Sequence, residues 1–464
     1  LPVRWRGWLL LAGSVVAIYW LQPPLPIRFS DYVLPTATLV LTITTWWFSR
    51  PPEQNRLTRD DAGAIGLIAA ISMALTLFRF VDAEYRLTPS RPPEPPAAMA
   101  ALAIAGAIIA ALAALTRRLN QRRVLTSCVL VIVAIFVVLK TPPLAALISG
   151  AWRGATGQDV SLASAADLNW LGFSYVAFRL IHTLRDRQAG ILPALSLREY
   201  VTYAIFFASY TAGPIDRAER FAPDYRAVSA LPRFEAGRWF DGGTRLALGL
   251  LKKFVIADAL AQGLALNATN AAQAQSAIGL WVLLYGYALR LYLDFSGYTD
   301  IAIGLGLLFG VRLPENFNRP YLKTNLTAFW QSWHMTLSNW ARFYVFSPLS
   351  RGLLKLKRRP SATMIVLLAQ LATMLTIGLW HGVALNFAAW GAWHGLGLFV
   401  HKQWTNRTRK WFRELNQFPR RRRLWRLVSW LATVQYVVVG WVWFALPMEQ
   451  AARVMLKLFG VTSD

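Results

Sequence analysis

The chain has 464 residues, 55% of them hydrophobic, with 21 tryptophans and a formal net charge of +26 from 49 basic and 23 acidic residues. Soluble domains average about 45–50% apolar residues, and the apolar residues here gather into runs of bilayer length, which excludes a soluble fold and with it a folded basic face for nucleic acid. The single cysteine, Cys128, sits inside one such run, so an intrachain disulfide is excluded and the residue reads as small packing material.

Five runs open the chain: Gly7–Gln22, Asp31–Phe48, Ala62–Phe80, Ala97–Leu115 and Val124–Leu139. Each approaches or reaches the ~17–25 residues that cross a bilayer as a helix. No A-x-A-like cleavage site follows the first, so it is expected to be a retained span or signal anchor. Arg4 and Arg6 precede the first run, Arg50, Arg56 and Arg59 follow the second, and Arg117, Arg118, Arg122 and Arg123 follow the fourth. The alternate loops are poorer. They hold Arg28, then Arg86 and Arg91 diluted by Asp82, Glu84 and Glu94, then Lys140 and Arg153. Basic loops stay in the cytoplasm, so the pattern predicts a multi-pass membrane protein with its N-terminus inside. The Pro-rich stretch Thr88–Met99, "TPSRPPEPPAAM", predicts an extended external linker. The small, polar stretch Gly150–Trp170 predicts a loop. Residues 1–165 therefore read as a transmembrane scaffold.

From Leu171 onward the apolar runs are interrupted by polar residues, glycine and proline, as in "FRLIHTLRDRQAG", "YTAGPIDRAERF" and "YLDFSGYTDIAIG". Polar backbone at membrane depth is tolerated only when buried in protein or lining a cavity, so residues 166–401 are the expected functional core. Ionisable residues at depth mark the same region. His182 has Asp186 one helical turn on, which predicts a local contact or a helix-end position. Asp294 and Asp300 flank "FSGYT" and are expected to bond the backbone of a broken helix. His334 lies among Trp330, Trp333 and Trp340. His394 is expected to pack between helices, and His401 to sit at a helix end in the interface.

Two cationic stretches, Arg351–Arg359 and Lys402–Arg426, both read as cytoplasmic. The spans between them, Ala362–Trp380 and Ala384–Val400, predict a hairpin with His381 at its tip, facing away from the cytoplasm. Residues 402–464 are then a basic cytoplasmic loop and a C-terminal transmembrane helix. Arg-rich segments of this kind meet lipid headgroups.

No HExxH and no histidine pair at i, i+3 or i, i+4 is present, so no metal is expected. A GxSxG elbow, a histidine with aspartate five positions on, and a glycine-rich phosphate loop are also missing. An imidazole pair in a membrane cavity remains, and imidazole is the commonest general base near neutrality.

The stretch "YLDFSGYTDIAIGLGLLFGVRLPENFNRPYLKTNLTAFWQSWHMTLSNWARFYVFSPL", followed by "GLWHG", resembles the membrane-bound O-acyltransferase family. Within it the likeness is to the bacterial branch of alginate O-acetylases and teichoic-acid D-alanyl transferases. "LGFSYVAFRLIHTLRD" and "AGPIDRAERF" extend the likeness, which covers roughly Leu171–His401, about half of the chain. It implies an all-α polytopic membrane protein, a helical shell of about 11–13 transmembrane or re-entrant helices around a central tunnel. It puts the family's catalytic histidine on His381 in GLWHG and the second histidine on His334 in SWHMTLS. Asn316, Asn318, Trp333, Trp380 and Asp294 are the expected substrate-binding residues. The implied reaction moves an acetyl or D-alanyl group from a thioester on the cytoplasmic side to a hydroxyl of an envelope polymer or lipid-linked glycan. His381 would be the base, and His334 would position the donor or polarise its carbonyl. No bound cofactor is implied. The donor, acyl-CoA or an acyl carrier protein, is a co-substrate, and a periplasmic partner enzyme is expected. A transporter or flippase whose broken helices form a pathway, and a structural subunit of a membrane complex, remain as other classes.

Overall fold

The structure, a computed structural model, describes residues 3–461 apart from Pro52, Asn55, Arg117, Arg233 and Asn416. Arg117 of the basic loop after the fourth run therefore lies outside the described residues. The described residues form helices and connecting loops and no strand. The protein is thus all-α and polytopic. Among the described residues six helices are long and apolar enough to cross a membrane: Arg59–Phe80, Pro95–Thr116, Gln121–Lys140, Ala277–Leu308, Ala362–His381 and Pro419–Ala445. A shorter apolar helix, Arg6–Trp20, precedes them. Long helices are the only open-ended elements that satisfy every backbone group inside lipid.

The chain divides into two compact units. The first is Leu1–Gly243 with Gly304–Leu313, and the second is Thr244–Ile303 with Pro314–Asp464.

In the first unit, Arg6–Trp20, Ser30–Ser49, Arg59–Thr76 and the short Leu197–Ala204 pack on one another. Their shared core includes Leu11, Val15, Ile18, Tyr200 and Val201. Hydroxyls pin the helices at depth: Tyr19 Oη lies 2.8 Å from Thr36 Oγ1, and Tyr32 Oη donates to Ser72 O at 2.7 Å. Arg59–Thr76 starts on a capping box, Thr58 with Asp61. Pro95–Thr116 and Gln121–Lys140 bury little of themselves (11% of each span) and present apolar side chains outward, as lipid-facing helices do.

Two expectations for this unit need correction. The polar stretch from Gly150 is not all loop. Its first residues close the helix Pro142–Ala155, and two short 3-10 turns, Val160–Leu162 and Ala165–Leu168, follow. The physical reason is a buried ion pair, Arg153 Nε to Asp167 Oδ2 at 2.8 Å, which Ser149 joins at 2.6 Å. The Pro-rich linker is also shorter than expected, because Pro95 and Pro96 begin the next helix, where a missing N–H costs nothing.

In the second unit the expected break at "FSGYT" is absent. Ala277–Leu308 is one continuous helix of 32 residues. Its carboxylates find cations from the neighbouring segment instead of freed backbone. Lys253 Nζ meets Asp294 Oδ1 at 2.5 Å, Lys252 Nζ meets Asp300 Oδ2 at 2.6 Å, and Arg245 Nε meets Asp300 Oδ1 at 2.9 Å. Those cations are carried on Ala236–Leu250 and on a π-helical turn, Leu251–Ala257. Wider turns of this kind mark functional regions in many helices. Gly249 lets the two backbones touch, since a Cβ there would lie 2.6 Å from Gly297 O.

Ala362–His381 and Leu385–Arg407 form the expected hairpin. Glycine makes it close: a Cβ on Gly378 would lie 2.3 Å from Phe387 O, and one on Gly391 would lie 2.7 Å from Met374 O. The second helix runs on to Arg407, so His401 lies inside it and not at its end.

Candidate active site

The site grows from a kinked segment of the second unit. Residues 316–318 are irregular and bond sideways to residues 332–335: Met335 N–H donates to Asn316 O at 2.9 Å, and Asn318 N–H donates to Ser332 O at 3.0 Å. A short helix, Leu326–Trp330, capped by Asn325, lies between them. The next helix, Met335–Ala341, starts immediately after His334. To make that turn His334 adopts a left-handed backbone, φ +42°. Such a conformation costs a residue with a Cβ roughly 1–3 kcal/mol and persists where the surroundings enforce it, commonly at functional sites.

What enforces it is aromatic packing and one amide. Trp333 is buried between Phe317 (ring centroids 5.2 Å), Phe329 (5.6 Å), Tyr321 (5.7 Å) and Trp441 (5.1 Å). His334 is buried with its ring edge-on to Phe295, centroids 4.6 Å apart at 89°. Asn316, with no exposed surface, holds His334 Nδ1 at 3.0 Å and the Thr336 hydroxyl at 2.9 Å through Oδ1. Its Nδ2 points at Thr299 Oγ1, 3.5 Å away on Ala277–Leu308. The second ring nitrogen of His334, Nε2, is buried and makes no hydrogen bond among the described residues.

His381 ends the first helix of the hairpin, and at Gly382 the Phe387 ring packs so close that a Cβ would lie 2.8 Å from it. Its ring is framed by Trp380 (4.4 Å), Phe444 (4.6 Å), Trp390 (5.9 Å) and Phe387 (6.0 Å). Trp380 also lies 6.1 Å from the His334 ring, so one indole touches both imidazoles. The structure thus brings His334, His381, Trp380, Trp333 and Asn316 together. Asn318 is exposed and enters through its backbone. Asp294 is held by Lys253.

His394 lies beside this group and packs between helices as expected. It has no exposed surface, and its Nδ1 accepts from Trp330 Nε1 at 3.4 Å. His401 bonds Thr327 Oγ1 through Nδ1 at 3.0 Å.

Sequence reasoning missed the partners. Arg245, Lys252 and Lys253, which neutralise Asp294 and Asp300, carry a signal that can be seen in the chain: three cations within an apolar stretch need acids nearby. Thr299 and Thr336, the companions of Asn316, carry none, because threonine is ordinary in such a segment.

In the first unit, the quoted motifs "FRLIHTLRD" and "AGPIDRAERF" meet. His182 Nε2 accepts the Ala218 N–H at 3.2 Å and lies 3.6 Å from Asp186 and 3.3 Å from Glu219. His182, Asp186 and Glu219 are the one cluster of three metal-type donors among the described residues. Arg217 bonds both carboxylates, at 2.9 Å and 2.6 Å. The guanidinium already supplies the positive charge a cation would bring, so the donor set fits a structural ion-pair network.

An all-helical membrane protein with two histidines about one tryptophan, near a buried asparagine, matches one family by sequence. Residues 121–437, more than half of the chain, match the family model described as "MBOAT, membrane-bound O-acyltransferase family". The chain belongs to that family.

Several curated proteins are similar to it. The teichoic acid D-alanyltransferase of Streptococcus thermophilus is 33% identical over 243 residues, covering 51% of this chain and 58% of that protein. The probable alginate O-acetylase AlgI of Pseudomonas aeruginosa is 33% identical over 285 residues, covering 61% and 50%. The peptidoglycan O-acetyltransferase of Helicobacter pylori is 33% identical over 291 residues, covering 60% and 52%. The chain spans about half the length of these relatives.

Proposed function

We propose that the protein is an O-acyltransferase that moves an acetyl or D-alanyl group from a thioester to a hydroxyl of a cell-envelope polymer or lipid-linked glycan. The observation that carries this reading is the pair of imidazoles about Trp380, His381 at the end of its helix and His334 on a left-handed backbone. Support for the substrate class comes from the names of the relatives, whose products are acylated alginate, teichoic acid and peptidoglycan.

In the proposed reaction His381 takes the proton of the acceptor hydroxyl. The hydroxyl oxygen forms a C–O bond with the thioester carbonyl carbon, the C–S bond breaks, and the proton passes to the departing sulfur. The products are an ester and a free thiol. A general base contributes about 10²–10⁴-fold, so binding must supply the rest by orientation. His334, in contact with the other side of Trp380, completes the site. The donor, acyl-CoA or an acyl carrier protein, approaches from the cytoplasm, the side assigned to the cationic stretches. The acceptor approaches from the opposite face, where a periplasmic partner enzyme would act. The membrane is the bacterial cytoplasmic membrane, with the N-terminus inside. A break at FSGYT would have suited the transporter reading, and Ala277–Leu308 is continuous there.

Mass spectrometry of envelope polymers and lipids from cells carrying the intact protein or its His381→Ala variant tests this. The expected result is an ester-linked mass present with the first and lost with the second, at equal membrane levels of both proteins. Unchanged esters in the variant would remove His381 from the chemistry.

A further inference from the structure

Three potential donors converge on one atom of Asn316. Its Oδ1 lies 3.0 Å from His334 Nδ1, 2.9 Å from Thr336 Oγ1 and 3.2 Å from the backbone nitrogen of Thr336. A side-chain amide can be turned by half a revolution without changing its outline, and an imidazole can carry its proton on either nitrogen. The backbone N–H of Thr336 resolves both choices, because it can only donate. The atom facing it is therefore the carbonyl oxygen. An oxygen without hydrogen must receive its bond from His334, so Nδ1 carries the proton. The amide nitrogen then points at Thr299 Oγ1, an atom able to accept, which is consistent with the same orientation.

A neutral imidazole has one N–H. With that hydrogen on Nδ1, Nε2 is a bare lone pair. Asn316 is a neutral amide, so nothing at Nδ1 stabilises a second proton on the ring. Nε2 is buried and makes no hydrogen bond within the described residues. Buried polar atoms in folded proteins almost always have partners, and an exception calls for one from outside the chain, such as water, an ion or a substrate group.

We propose that Asn316 is a positioning residue that locks His334 as its Nδ1–H tautomer, so that Nε2 accepts a hydrogen bond from a polar hydrogen of a substrate. That hydrogen is an O–H of the acceptor other than the one His381 deprotonates, or an amide N–H of the donor's arm. His334 then does not polarise the thioester carbonyl, since polarising a carbonyl needs a donor. The inference rests on the acyl-transfer reading above and refines which end of His334 works in it.

The test is the pH dependence of acyl transfer by the purified full-length protein with Asn316→Asp, beside wild type, Asn316→Ala and His381→Ala. A carboxylate at this position keeps all three bonds to Oδ1, puts an oxygen that the Thr299 hydroxyl can donate to in place of Nδ2, and adds a negative charge. It stabilises the doubly protonated ring and so removes the lone pair at neutral pH. The expected result is a kcat at pH 7 lowered about tenfold or more, with recovery as pH rises. The acid limb of the profile moves upward, which a merely structural defect would not produce. Asn316→Ala, which frees the tautomer, is expected to lower transfer while the protein stays folded. A raised KM for the thioester assigns the hydrogen to the donor's arm, and a lowered kcat with unchanged donor KM assigns it to the acceptor.

An Asn316→Asp profile that superimposes on wild type, or one with higher activity at low pH, would overturn the proposal, the second because it would make His334 a donor. If Asn316→Asp does not fold, wild-type kinetics in a folded Asn316→Ala would overturn it equally. The His381→Ala control separates the two readings. Transfer retained there removes His381 from the chemistry, absence of any transfer by the wild-type protein sinks the acyl-transfer assignment itself, and transfer lost in His381→Ala with an unmoved Asn316→Asp profile sinks only the role of Asn316.

Discussion

His334 combines a left-handed backbone with a buried ring, and each property selects residues on its own. Asparagine is among the few residues with a Cβ that enter the left-handed region readily. His334→Asn should therefore keep the turn between residues 332 and 335 and leave thermal melting close to wild type. It lacks the imidazole, so acyl transfer is expected to fall about 10²-fold or more. Melting curves and turnover of the purified variant check the two halves separately; retained turnover in a folded His334→Asn protein would remove the ring from the reaction. Both histidines were legible in the chain, because each sits in a distinctive string, SWHMTLS and GLWHG. Their companions were legible unevenly. Asn316 stood out in "PENFNRPY", but its use, facing His334 and Thr336 with no exposed surface, depends on a sideways pairing of two irregular segments that no periodicity announces.

At the scale of elements, the helical hairpin that carries His381 is held by glycine. The backbones at Gly378 and Gly391 approach too closely for a side chain, and in lipid such close packing stands in for the hydrophobic effect that drives helices together in water. Gly391→Leu is expected to push Leu385–Arg407 away from Ala362–His381, at about 1–3 kcal/mol of overpacking, and to displace His381. The melting temperature and the turnover should fall together. Gly106→Ala is the control, since a Cβ there meets nothing within 4 Å; equal melting of the Gly391→Leu and wild-type proteins would show that the hairpin does not depend on this contact. The hairpin was foreseeable from two apolar runs and a short polar break. The continuity of Ala277–Leu308 was not, because the cations that neutralise Asp294 and Asp300 come from residues 245–253, far away in the chain.

For the whole molecule, the orientation proposed from the basic loops can be tested. Under that assignment Val383, between the hairpin helices, faces outward and Lys357 faces the cytoplasm. Both positions are exposed. In a Cys128→Ser background, a membrane-impermeant maleimide added to intact cells is expected to label Val383→Cys and to spare Lys357→Cys until the cells are opened. The opposite pattern would invert the topology and place His381 on the cytoplasmic side.

The sequence by itself determined the membrane class, the apolar runs that become Arg59–Phe80, Pro95–Thr116, Gln121–Lys140 and Ala362–His381, the basic loops and the positions of the two histidines. These depend on local composition: whether a segment is apolar for the length of a bilayer, and whether a rare imidazole interrupts it. Tertiary structure decided the rest. It alone shows that one tryptophan touches both imidazoles, that Arg217 neutralises the carboxylates beside His182, and that a backbone N–H fixes the amide of Asn316 and through it the tautomer of His334. Hydrogen bonds act over about 3 Å, and the chain brings these atoms within that reach only once distant segments have folded against each other.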